Sequence, residues 1–95
     1  MKVIWSQEAL DNLLEIEEYI SEDSPERAIE FTDYLIEQTK YLENNPKIGR
    51  IVPELPDSDY RELVIKNYRM VYRSENDVIN IITVFESHRL FPLDH

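Results

Sequence analysis

Apolar residues repeat with a helical period in the first half of the chain and with a strand period in the second, and the switch falls in one loop. Ala9, Leu13, Ile16 and Ile20 recur at steps of four, three and four, with Leu10 and Leu14 widening the stripe. That spacing predicts an amphipathic helix with acidic residues on its outer side. Ser6 before it can cap the first turn, where Glu8 complements the helix dipole. Ser24-Pro25 restarts the pattern, since proline is tolerated at the first helical position. Ala28, Phe31, Leu35 and Leu42 then share a face, flanked by Ile29, Tyr34 and Ile36, until Asn44-Asn45-Pro46 ends the helix. The two helices form a hairpin.

From Lys47 to Asp59 the chain holds its only glycine, Gly49, with Pro53 and Pro56, and reads as a loop long enough to carry function. Tyr60–Ile65, Tyr68–Arg73 and Val78–Phe85 are rich in Tyr, Val and Ile, and the turn-formers Lys66-Asn67 and Ser74–Asp77 separate them. They predict a three-stranded antiparallel meander. Lys2–Trp5 reads as an opening strand, and His88–His95 as a tail expected to fray. The expected fold is α+β: N-terminal strand, helical hairpin and meander, forming one twisted sheet with the helices on one face and the other face free. Ninety-five residues suit a single domain, 1–95.

The net charge of −10 argues against nonspecific attraction to nucleic acid or an anionic membrane. Residues 1–46 carry three basic residues against twelve acidic, and residues 47–95 carry seven against eight, so any anion site belongs in the second half. Without cysteine there is no disulfide, thiolate catalysis or cysteine-bound zinc, and the histidines at 88 and 95 form no metal constellation. No cofactor is expected. The N-terminus has no signal-peptide pattern and no apolar run is of membrane-spanning length, so a cytoplasmic location is expected.

Trp5-Ser6, Ala9, Leu13, Ile16, Tyr19-Ile20, Pro25, Ala28, Phe31, Leu35, Leu42 and Pro46 follow one another in a familiar order. Gly49-Arg50-Ile51-Val52-Pro53-Glu54-Leu55, Tyr60-Arg61-Glu62-Leu63, Tyr68–Arg73 and Ile79-Asn80-Ile81 continue it. From residue 3 to about residue 90 the chain resembles the RelE/ParE superfamily of toxin–antitoxin toxins, and the blocks at 49–55 and 60–63 look closer to its ParE-like branch. The resemblance implies a toxin that binds a macromolecular target, DNA gyrase on the ParE side, and is wrapped by a cognate antitoxin. RelE-like members instead cleave messenger RNA on the ribosome, and a non-toxic binding module is a third possibility. No membrane partner or small-molecule substrate is implied.

RNA cleavage needs a base, a cation for the phosphorane and an acid for the leaving oxygen. By resemblance Arg69 stands where RelE-like enzymes hold a phosphate-contacting arginine, Glu54 near a carboxylate base, and His88 as a candidate acid. Against this, Glu86 stands where some members keep the first histidine of their C-terminal motif, with Arg89 at its last arginine. Arg50, Arg61, Lys66, Arg73 and Arg89 join Arg69 as candidates for a target- or anion-binding face. Tyr60, Tyr68 and Tyr72 read as fillers of the sheet–helix interface rather than base-stacking platforms. Because the front half is so acidic, the antitoxin is expected to rely on apolar contacts or on basic residues of its own.

Overall fold

The computed structural model describes residues 1–93; Asp94 and His95, the end of the expected tail, lie outside the described residues. The elements run β1 (Lys2–Trp5), α1 (Gln7–Ser21), α2 (Pro25–Lys40), a 3-10 turn (Tyr41–Glu43), β2 (Arg50–Ile51), β3 (Arg61–Ile65), β4 (Tyr68–Glu75) and β5 (Val78–Glu86). One five-stranded sheet has the order β1-β5-β4-β3-β2. The meander is antiparallel, as the turns require, whereas β1 joins β5 in parallel and makes the sheet mixed. That parallel pairing follows from the hairpin: two antiparallel helices carry the chain back over the sheet before it enters the meander. No helix among the described residues is long and apolar enough to cross a membrane.

Local chemistry accounts for the element ends. Ser6 accepts from Ala9 N at 3.0 Å, and Ser24 accepts from Arg27 N at 3.2 Å, so each helix begins at its serine cap. Between β4 and β5 only Asn76 and Asp77 remain as turn, both with φ near +60° (53° and 61°), as a type I′ hairpin demands. The strands therefore run further than the apolar pattern suggests.

A bulge interrupts β5 between the partners of Val71 and Tyr72. The hydroxyl of Ser6 donates to Ile82 O at 2.8 Å, Ser6 N donates to Ile81 O at 3.0 Å, and Asn12 Oδ1 accepts from Val84 N at 2.9 Å. The start of α1 thus satisfies backbone groups that a disrupted ladder leaves open.

Ala9, Ile16, Leu35, Leu42, Met70, Tyr72, Ile79 and Ile81 form the main core between the helices and one sheet face. A second, smaller core lies on the other face. There Val52 and Leu55 of the loop meet Val71 and Phe85, with Tyr60, Ile82, Phe91 and Leu93 packed against them. The expectation of a free second face is therefore corrected. Val71 and Phe85 are too apolar to face water, and the 52–60 loop and the tail cover them. For the same reason the tail through Leu93 is packed rather than frayed.

Candidate functional site

Alternation along β4 turns Tyr68, Met70 and Tyr72 toward the helices and Arg69, Val71 and Arg73 toward the second face. Arg69 sits mid-sheet, directly opposite Val64 and diagonal to Glu62, which pairs with Val71. Diagonal neighbours are within reach of long side chains. Arg69 Nε donates to Glu62 Oε1 at 2.8 Å.

The loop supplies a second carboxylate. Val52 N donates to Tyr60 O at 3.0 Å and Leu55 N to Val52 O at 2.9 Å, so the segment folds back on itself and sets Glu54 over the sheet. Arg69 Nη1 and Nη2 donate to Glu54 Oε2 and Oε1 at 2.7 and 2.5 Å, a planar bidentate pair. Phe85 and Phe91 close the remaining sides, their ring centres 5.0 and 5.5 Å from the Arg69 guanidinium carbon. The result is an arginine that is 7% exposed with every edge occupied.

Glu62, its side chain fully buried, also receives Arg50, whose Nε and Nη2 both reach Oε2 at 2.7 Å. Arg73 pairs with Asp59 at 3.0 Å and lies 5.4 Å from the centre of the Tyr60 ring. Three arginines on this face thus meet Glu54, Asp59 and Glu62, and their charges cancel. The Arg69 bonds hold the Glu54 carboxyl below its ordinary value of 4.5, against the opposing effect of burial. Its two carboxylate partners hold the Arg69 guanidinium above its ordinary range, against the same effect. Both forked edges of the Arg69 guanidinium are thus engaged by carboxylates, Nε and Nη2 by Glu62 and Nη1 and Nη2 by Glu54.

The other sequence-nominated residues stand apart from this cluster. His88 is largely exposed in the turn after β5 and pairs with Glu86 at 2.5 Å. Arg61 donates from Nη1 to Gly49 O at 2.7 Å and to Lys47 O at 3.3 Å, fastening the loop. Lys66 lies 5.5 Å from the centre of the Phe31 ring on the helical side. Arg89 is exposed and makes no ion pair with a described residue. The candidate cations therefore do not gather on one face. Tyr68 and Tyr72 fill the helix interface as expected, whereas Tyr60 belongs to the second core.

Two residues of the site, Glu62 and Gly49, were not among the site residues expected from the sequence. Glu62 alternates with Arg61 and Leu63 like any half-exposed strand residue, and its burial depends on a loop folding over it. Gly49 is needed for proximity rather than for a positive φ. A Cβ there would stand 2.6 Å from Glu62 O and 2.8 Å from the Tyr72 hydroxyl. That hydroxyl accepts from Gly49 N at 2.9 Å and donates to Pro46 O at 2.8 Å, fixing the loop entrance. Burial raises the Tyr72 phenol above its ordinary range, so it stays protonated.

A family model described as "ParE toxin of type II toxin-antitoxin system, parDE" matches residues 3–91. Among solved structures, a chain of the "Chromosomal ParDE TA system from P. aeruginosa" superposes with a TM-score of 0.76 at 24% identity, over 90% of this chain and 95% of that one. At that identity the superposition establishes the fold. No curated protein sequence matches.

Proposed function

The chain belongs to the ParE toxin family of type II toxin–antitoxin systems, and from that premise we propose that it is a cytoplasmic toxin that inhibits growth by binding a protein target, DNA gyrase being the first candidate, and is neutralised by a cognate antitoxin. The observation that carries this reading is the closed Glu54–Arg69–Glu62 cluster. The resemblance to RelE-like nucleases implies that in a cleaving version Arg69 would contact the scissile phosphate. Here that arginine is buried under two carboxylates and two phenylalanine rings. Freeing it would strand the fully buried Glu62 beside a single remaining partner, Arg50. The domain, 1–95, works on this reading as a binding surface rather than a catalyst.

The test uses purified protein with gyrase and relaxed plasmid. Loss of supercoiling at stoichiometric protein is the expected result. Unimpaired supercoiling at saturation removes gyrase as the target. In parallel, codon-specific cuts in ribosome-bound message that vanish in Arg69→Ala would sink the non-catalytic reading.

A further inference from the structure

Two cavities meet at Tyr19 and Tyr68, which line both. The first, about 400 Å³, runs beside α1. Glu8, Asn12, Glu15 and Tyr19 form its helical wall, and Phe85, Glu86 and Arg89 stand across from them. The second, about 740 Å³, continues between Tyr34, Phe31 and Lys66 at the far end of the hairpin. Together they make a trough. Its α1 wall alone spans the twelve residues from Glu8 to Tyr19, about 16 Å at the helical rise, the length of roughly five extended residues.

Three features of the wall bear on what fits. Glu8, Glu15 and Glu86 outnumber the lone Arg89, so the first cavity is acidic, whereas Arg27 and Lys66 outnumber Glu30 in the second. Tyr19 and Tyr34 are 69% and 46% exposed, a large apolar surface to leave in water. Asn12 Oδ1 is committed to Val84 N at 2.9 Å and to the Thr83 hydroxyl at 3.0 Å. A backbone N–H can only donate, so the oxygen end of this amide is fixed. Its NH2 group therefore points away from β5 and donates to no described residue, which leaves it for a ligand carbonyl.

We propose that this trough holds an extended segment of the partner protein whose basic end lies in the first cavity. Lysine or arginine side chains sit between Glu8, Glu15 and Glu86, an apolar side chain rests on Tyr19 and Tyr68, and a main-chain carbonyl accepts from Asn12. The inference rests on the antitoxin reading and adds to it where the partner lies and the sign of its charge in the first cavity.

The test measures calorimetric affinity for the protein encoded by the adjacent reading frame. Tyr19→Ala is expected to weaken binding about tenfold or more. The pair Glu8→Gln/Glu15→Gln is expected to weaken it by a similar factor that shrinks as salt is raised. Leu14→Ala and Ile36→Ala, exposed positions outside the trough, are expected to change it less than about twofold. Circular dichroism checks that each variant keeps its helices. Wild-type affinity in the trough variants, or a larger loss in the two controls, overturns the placement alone. A concentration-dependent dimer abolished by Tyr19→Ala assigns the trough to a second copy and overturns the proposal. Failure of the neighbouring protein to bind at all overturns the antitoxin reading and this one with it.

Discussion

Arg69 is where charge, burial and packing are most tightly coupled. Arg69→Ala leaves Glu62 buried with Arg50 as its sole cation, and Arg50 is itself 59% exposed. Breaking a buried pair from one side costs about 3–5 kcal/mol, and the surviving Arg50 places the expected loss near 3. Urea denaturation measures it. Glu54 is the outer partner, with a side chain 36% exposed, so solvent screens its share. Glu54→Gln is expected to cost under about 1 kcal/mol at neutral pH. Its clearer signature is in acid. The folded value of Glu54 is depressed below 4.5, so the stabilisation is complete above 4.5 and is lost as pH falls through the folded value. Stability measured from pH 5 downward should therefore fall less steeply in Glu54→Gln than in wild type. Equal slopes would mean that Glu54 titrates alike in folded and unfolded chains.

The loop and β5 owe their shapes to a few residues that bind backbone. Tyr72→Phe removes the bonds to Gly49 N and Pro46 O, leaving a buried N–H without its partner, for about 1–3 kcal/mol. Gly49→Ala forces the same contact apart from the other side and is expected to cost about 1–3 kcal/mol by overpacking. Because both changes break one junction, thermal melts of the double variant should show a loss smaller than the sum. The helices, their serine caps and the meander were legible because each is signalled within a few residues of itself: Ser6 and Ser24 by type, the strands by alternation. Lys2–Trp5 was legible as a strand, although its pairing partner was not. Strand β2, the bulge held by Ser6 and Asn12, and the packing of Phe91 depend on contacts between segments far apart in sequence. No local period encodes such contacts, so nothing in the sequence tied Glu54 to Arg69 and the second sheet face looked bare.

Charge is distributed over the folded chain in two regimes. Between Gln7 and Lys40 eleven acids face two bases, Arg27 and Lys40, and most of these side chains lie on the outside of the hairpin. Below the sheet the arginines and carboxylates are matched in number and partly buried, where salt screens little. The long-range balance is therefore dominated by repulsion among the hairpin acids, which the compact state intensifies. Raising ionic strength from about 0.01 to 0.15 M shortens the screening length from about 30 to 8 Å and relieves that repulsion without opening the buried pairs. The melting temperature is accordingly expected to rise over this range in sodium chloride. Substituting Glu54 or Glu62 should lower the starting stability while leaving the salt-induced rise in place, because those carboxylates already have partners. A melting temperature that falls with salt would show that exposed attractive pairs, such as Arg73 with Asp59, outweigh the hairpin's self-repulsion. The same asymmetry bears on partners: a surface this acidic associates slowly with polyanions and quickly with a basic segment.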